Sequence, residues 1–228
     1  MSTPASEIAG GPLGFFGGTF DPVHFGHLRL AEEAADALGL ATIVWSPAGQ
    51  PPHRDPPRVA AADRLAMVEL ATAGNPRFRV DANEATSAAP SYTVTALERL
   101  RRQFGPARPL VLLLGSDAFA GLCTWHRWPE LFGLAHLAVT HRPGVELDAG
   151  TLPAALAAEF ASRRTASPAT LAESPAGRIV GFAMTPLAIS ATQIRGLLTA
   201  RQSARYLLPA AVVEYIESHR LYHTNPSA

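Results

Sequence analysis

Leu13-Gly14-Phe15-Phe16 is a short apolar run that breaks at Gly17-Gly18. A second pattern then takes over in residues 26–38, where Leu28, Leu30, Ala31, Ala34, Ala35 and Leu38 recur at helical spacing before Gly39 supplies a stop signal. A buried strand feeding an amphipathic helix through a glycine turn is the opening unit of an α/β chain, and the pattern recurs downstream. Residues 41–45 form another β-branched, apolar run. Residues 46–57 are too dense in proline to be helix or central strand. An amphipathic stretch over 63–73 is closed by Gly74, Phe78-Arg79-Val80 is briefly extended, and Ser91 is placed as the N-cap of a helix running to Phe104.

Residues 109–115 are apolar throughout, as in strands covered on both faces of a parallel sheet. Leu137-Ala138-Val139-Thr140 reads as the next strand, with a short helix over 129–134 between them. Residues 146–176 are alanine-rich and carry little signal, 178–183 is a candidate last strand, and 190–200 and 209–219 form a small helical C-terminal segment. The expectation is an α/β fold with a doubly wound parallel sheet, in one domain over 13–228 behind a frayed tail, 1–12. Its ligand site belongs beyond the carboxyl ends of the strands.

Composition narrows the chemistry. A chain of 228 residues buries roughly 70% of the surface its unfolded form exposes, so its core needs neither disulfides nor structural metal. Nineteen basic residues balance nineteen acidic ones, so no global field draws nucleic acid or a membrane, and an anionic ligand must be met by locally focused groups. Every basic residue is Arg. That removes Schiff-base chemistry, pyridoxal-type anchoring and any phosphate loop built on lysine. Cys123 stands alone, which excludes internal disulfides and multi-cysteine zinc sites and fits a small buried apolar residue in a reducing compartment. Residues 1–12 lack the basic start and apolar stretch of a secretory signal, and the run over 109–115 is far short of the roughly 20 residues that cross a bilayer. A cytoplasmic protein is expected.

Two strings carry the chemistry. In Gly17-Gly18-Thr19-Phe20-Asp21-Pro22-Val23-His24-Phe25-Gly26-His27, two glycines let backbone approach a ligand, and the helix start offers unpaired N–H groups and a positive dipole end. His24 and His27, three apart, project from one face of the first turn toward the same phosphate chain. Imidazole donors aimed at phosphoryl oxygens stabilise the charge that builds as phosphorus gains a fifth ligand. A protein-held metal is not expected, since a histidine metal pair favours i, i+4 spacing and a third ligand. In Ile189-Ser190-Ala191-Thr192-Gln193-Ile194-Arg195, Ser190 caps a helix, Thr192 adds a hydroxyl, and Arg195 lies one turn on. Taken alone, this second string is an ordinary Ser-capped helix.

Together the strings resemble a known family. The first is similar to the nucleotidyltransferase signature Gly-x-Phe-Asp-Pro-x-His-x-Gly-His, and the second to the Ile-Ser-Ser/Thr-x-x-x-Arg phosphate motif of the same superfamily. Pro47-Ala48-Gly49-Gln50-Pro51-Pro52-His53, Ser91-Tyr92-Thr93, Leu114-Gly115-Ser116-Asp117, Trp125-His126-Arg127-Trp128 and His141-Arg142-Pro143-Gly144 narrow the resemblance to bacterial nicotinate mononucleotide adenylyltransferases, over about residues 14–222.

The resemblance implies a Rossmann-like nucleotidyltransferase fold and transfer of the adenylyl group of ATP to nicotinate mononucleotide, with Mg²⁺ as helper. It implies that Gly17, Gly18, Thr19 and Phe20 line the nucleotide site, that His24 and His27 contact ATP phosphates, and that Ile189, Ser190, Thr192 and Arg195 hold the triphosphate from the other side. Gly115 and Asp117 would lie beside ATP. Trp125 would stack on the pyridine ring, Thr93 would contact its carboxylate, and Arg142 and Arg54 would serve the mononucleotide. His24, His27 and Arg195 are the expected catalytic groups. Trp128 is expected in the core and His126 at the surface, with Arg101, Arg102 and Arg127 as solvated charge. Ala191, where the family often has a second hydroxyl, and Arg54, where lysine is common, depart from the pattern. The resemblance leaves a homo-oligomer open.

A phosphate dianion is already a nucleophile, so the reaction expected is direct in-line attack on the α-phosphorus, with the protein supplying position and charge stabilisation. Two alternatives stay open: a sibling using nicotinamide mononucleotide or phosphopantetheine, and a dinucleotide-binding module without catalysis. The proline-rich segment after Gln50 is a candidate lid.

Overall fold

The structure, a computed structural model, describes residues 10–52, 56–144 and 147–222. Seven strands form one parallel sheet: β1 (Leu13–Gly18), β2 (Thr42–Pro47), β3 (Phe78–Val80), β4 (Leu110–Leu114), β5 (His136–His141), β6 (Arg164–Thr165) and β7 (Ile179–Ala183), in the order β3-β2-β1-β4-β5-β7-β6. The helices are α1 (Phe25–Leu38), α2 (Ala61–Thr72), α3 (Thr93–Phe104), α4 (Ser116–Ala120), α5 (Leu131–Leu134), α6 (Ala154–Arg163), α7 (Ala191–Thr199) and α8 (Ala210–Ser218). The doubly wound reading holds.

Strand periodicity sorts the side chains into two cores. On one face Phe16, Ile43, Trp45, Val111, Leu113, Ala138, Val180 and Phe182 pack under α1, α2, α7 and α8. On the other, Leu13, Phe15, Val44, Leu110, Leu112, Leu114, Leu137, Val139 and Ile179 pack under α3, α5 and α6. Because β4 is covered on both sides, Leu110 to Leu114 are all buried, which is why no polar residue interrupts them. Sheet order reverses between β1 and β4, so a crevice opens beyond their carboxyl ends.

Several details differ from the sequence reading. The first strand runs through Gly17 and Gly18, which pair in register with Ser46 and Pro47, instead of stopping before them. The alanine-rich stretch contains α6, held by Leu156 and Phe160 four residues apart. Arg101 is not a solvated charge. Its guanidinium donates to the carbonyls of Leu134, Arg108 and Pro175, joining the helix α5 end to two loops, and burial lowers its pKa. Arg127 pairs with Glu98 and Glu130 at the surface, and Trp128 packs edge-on against Phe132. Within the expected tail, the carbonyls of Gly11 and Pro12 accept from Arg108 Nε and the Ala41 N–H, while residues 1–9 lie outside the described residues. Among the described residues no helix is long and apolar enough to cross a membrane.

Candidate active site

The turn from β1 into α1 delivers the first string to the crevice. His24 is the extended N-cap of α1, and its ring stacks on that of His27 with centroids 3.7 Å apart. The two rings share one face, as their spacing requires. The His24 main-chain N–H donates to His27 Nδ1 at 3.2 Å, which places the His27 proton on Nε2. His24 is buried, its Nδ1 has no hydrogen-bond partner, and burial lowers its pKa to about 4. Near neutrality it is an uncharged imidazole that can donate from one nitrogen. Gly26 is glycine for a visible reason: a Cβ there would stand 3.0 Å from His24 Cε1 and Nδ1.

Phe20 departs from its expected role. Its ring is buried edge-on against Phe16 and 5.1 Å from the His27 ring, and it covers Gly18 so closely that a Cβ there would meet it at 2.9 Å. With its side chain in the core, only the Phe20 main chain can line a nucleotide site. Gly17, Gly18 and Thr19 remain accessible beside it.

The second string arrives from α7. Ser190 Oγ accepts from the Gln193 N–H at 3.1 Å, the N-cap read from the sequence. Ile189 presents its carbonyl 3.6 Å from where a Gly26 Cβ would be, so the N-termini of α1 and α7 converge. Arg195 donates through Nη1 to the Asp21 carbonyl at 2.7 Å and through Nη2 to Thr192 Oγ1 at 3.2 Å. Two strings separated by most of the chain thus form one cationic, donor-rich wall.

The cytidylyltransferase-like family model matches residues 15–197. A protein of Dechloromonas aromatica (strain RCB), named a probable nicotinate-nucleotide adenylyltransferase, is 62% identical over 214 residues, covering 94% of this chain and 99% of that protein. The chain belongs to the cytidylyltransferase-like family, among the nicotinate-nucleotide adenylyltransferases. A Laribacter hongkongensis (strain HLHK9) protein of the same name is 50% identical over 216 residues, covering 95% of this chain and 96% of its own length. The fold is shared with the Plasmodium falciparum nicotinic acid mononucleotide adenylyltransferase complexed with NaAD, at a TM-score of 0.68 and 14% identity, with 93% of this chain and 97% of that one covered.

In this adenylyltransferase-family chain, two of the remaining expected residues, Gly115 and Arg142, directly follow the carboxyl ends of β4 and β5. Gly115 is the N-cap of α4, with Asp117 exposed in its first turn. Thr93 opens α3, Trp125 is half-buried beside the second core, and Arg142 is exposed just past β5. His126 is exposed, but its ring lies 4.3 Å from that of Tyr92, so the two make one aromatic surface next to Trp125. Arg54 lies outside the described residues, as does part of the candidate lid.

Ser91 is not the N-cap of α3. Tyr92 takes that position, and Ser91 Oγ instead accepts from the N–H groups of Gly49 at 2.9 Å and Gln50 at 3.3 Å. The hydroxyl thereby serves as acceptor for two N–H groups of the loop that leaves β2.

Sequence reasoning passed over three residues. Arg64, 1% exposed, sits on α2 beneath the crevice. Asp21 is a hub: Oδ2 accepts from the Arg58 N–H at 2.7 Å, Oδ1 from the Tyr222 hydroxyl at 2.7 Å, and its carbonyl from Arg195. Glu84 stands behind Ser46, and burial, with the Asp81 charge second, raises its pKa to about 7. Only Asp21 lay inside a recognisable string. An arginine at the fourth position of an amphipathic helix looks like a surface charge until its surroundings are known.

Proposed function

We propose that this chain transfers the adenylyl group of ATP to the 5′-phosphate of nicotinate mononucleotide, giving deamido-NAD and pyrophosphate. The observation that carries it is the bond from Arg195 to the Asp21 carbonyl, which holds the α7 wall against the loop bearing His24 and His27.

A triphosphate laid along the convergent N-termini of α1 and α7 meets Gly17, Gly18 and the Thr19 and Phe20 main chain on one side. Ile189, Ser190, Thr192 and Arg195 meet it on the other. The His24 and His27 rings donate through Nε2 to oxygens whose charge grows as the acceptor phosphate attacks in line. Neutral His24 is suited to donation and unsuited to acting as a general acid at pH 7. Arg195 draws charge toward the departing pyrophosphate. The acceptor lies against Thr93 and Trp125, with Arg142 and Arg54 for its phosphate, and the Tyr92–His126 surface extends that side.

Among the described residues no group of three His, Cys, Asp or Glu side chains could hold a metal ion. Such a donor set fits Mg²⁺ that arrives with ATP, because Mg²⁺ keeps waters and binds substrate phosphates with one or two carboxylates at most. Asp117, exposed in the first turn of α4, would be the carboxylate to meet a metal-bound water or the ribose hydroxyls of ATP. When bound, Mg²⁺ supplies charge neutralisation on the polyphosphate. The chain is read as a cytoplasmic enzyme.

Pyrophosphate release from ATP, measured separately with nicotinate mononucleotide, nicotinamide mononucleotide and phosphopantetheine, tests the proposal. Release that is fastest with nicotinate mononucleotide is expected. Preference for another acceptor replaces the substrate, and tight dinucleotide binding with no release in any arm replaces the enzyme with a binding module.

A further inference from the structure

We infer that Arg64 is a positioning residue that fixes the ATP loop and the acceptor loop relative to each other, an inference that rests on the adenylyl-transfer reading. Its guanidinium is buried on α2 and is spent on main-chain carbonyls. Nη1 donates to Thr19 O at 2.8 Å and to Ala48 O at 2.5 Å, and Nη2 donates to Gly49 O at 2.9 Å. Nε donates to Val59 O at 3.4 Å.

Thr19 belongs to the loop between β1 and α1, and Ala48 and Gly49 to the loop leaving β2. One nitrogen therefore bridges two loops that leave adjacent parallel strands, where Gly18 is already opposite Pro47 and the Ala48 N–H donates to Gly18 O at 2.9 Å. The chain of contacts continues outward. Gly49 N–H donates to Ser91 Oγ, and Ser91 directly precedes Tyr92 and Thr93 on the acceptor side.

A buried charge is expensive unless hydrogen-bonded, and an apolar side chain would fill the same space without that cost. What an apolar residue, or lysine, lacks is a planar fork with several donors at fixed angles. Here the fork sets a distance between two loops. In-line transfer depends on that distance, since reacting atoms must be held about 3–3.5 Å apart and an error of about 1 Å lowers the rate by about 10²-fold. The residue touches neither substrate in this arrangement; it acts through main chain.

The test compares wild type, Arg64→Lys and Arg64→Met in steady-state adenylyl transfer, with binding of a non-hydrolysable ATP analogue and the folded fraction measured alongside. Expected is a fall in kcat of about 10²-fold per folded molecule in both variants, with analogue affinity little changed. A folded Arg64→Lys with near-wild-type kcat, or a loss confined to ATP affinity, overturns the inference. Ser91→Ala loosens the far end of the same chain without disturbing the core. If neither Arg64 variant folds, a lowered kcat in Ser91→Ala sustains the proposal and an unchanged one overturns it. If wild type itself transfers nothing, the functional reading fails separately. Amide exchange at Ala48 and Gly49 then decides the Arg64 role: acceleration in Arg64→Lys supports it, and unchanged exchange overturns it.

Discussion

Arg195 donates through Nη1 to the main-chain carbonyl of Asp21 at 2.7 Å, across 174 positions of sequence. This bond brings the α7 phosphate string onto the loop that carries the two histidines. It uses the backbone of Asp21 because both carboxylate oxygens are engaged, one by the Arg58 N–H and one by Tyr222. Asp21 therefore shapes the site while contributing no charge to its open face.

The stacked histidines are expected to be separable in mutants. Removing one preorganised donor to a developing oxyanion lowers turnover on the order of 10²–10³-fold. His27→Ala, which leaves His24 capping α1, should show this loss with an unchanged circular dichroism spectrum. His24→Ala should show at least as large a loss, because it also removes the ring on which His27 stacks, while the main-chain N–H to His27 Nδ1 remains. Near-normal turnover in either variant removes that histidine from the chemistry.

Why the two strings were legible and Arg64 was not has a physical basis. Elements whose faces are both buried write themselves as unbroken apolar runs, and β4 could be bounded to within a residue or two. Glycines with a steric duty, such as Gly26 under the His24 ring, fall inside a compact string whose spacing is local. Arg64, Ser91 and Arg101 act on main-chain carbonyls and N–H groups belonging to distant loops. Carbonyls are present at every residue, so no sequence pattern marks the partner. Phe20 shows the converse: it stands in a functional string, but tertiary packing takes its ring for the core.

Tyr222 anchors the C-terminal end of the described chain to the signature loop. Its hydroxyl meets a carboxylate oxygen in a largely buried setting, and burial pushes its pKa up, ahead of the Asp21 contact. Tyr222→Phe leaves Asp21 Oδ1 without this donor and should lower the unfolding free energy by about 1–2 kcal/mol. Urea titration measures it. No change in the unfolding midpoint would mean that water replaces the phenol without loss.

Gly49 has no room for a side chain. A Cβ would fall 2.1 Å from the Glu84 carbonyl oxygen, which is main chain and cannot swing aside. Gly49→Ala should therefore displace the acceptor loop, lowering stability by about 1–3 kcal/mol and turnover by more than the folded fraction explains. Equal losses in the two would show that the loop moves without consequence for the reaction.

His24 and Glu84 should oppose each other in the pH dependence of stability. Burial lowers the His24 pKa to about 4 from 6.5, so between pH 7 and 5 the unfolded chain takes up a proton that the folded chain refuses. Acidification then removes up to about 2 kcal/mol of stability through this group. Glu84 has the other sign. Burial, followed by the Asp81 charge and against the Arg99 charge and the Ser46 hydroxyl, raises its pKa to about 7 from 4.5. In the same window the folded chain binds the Glu84 proton while the unfolded carboxyl stays charged, which adds up to about 2 kcal/mol. The two contributions nearly cancel in the wild type. Glu84→Gln should unmask the histidine and lose stability on going from pH 7 to 5 relative to wild type, and His24→Gln should gain it. Urea midpoints at the two pH values for all three proteins check this. Parallel changes in all three would show that neither group titrates differently in the folded and unfolded chains, and would remove the ground for treating His24 as a neutral donor.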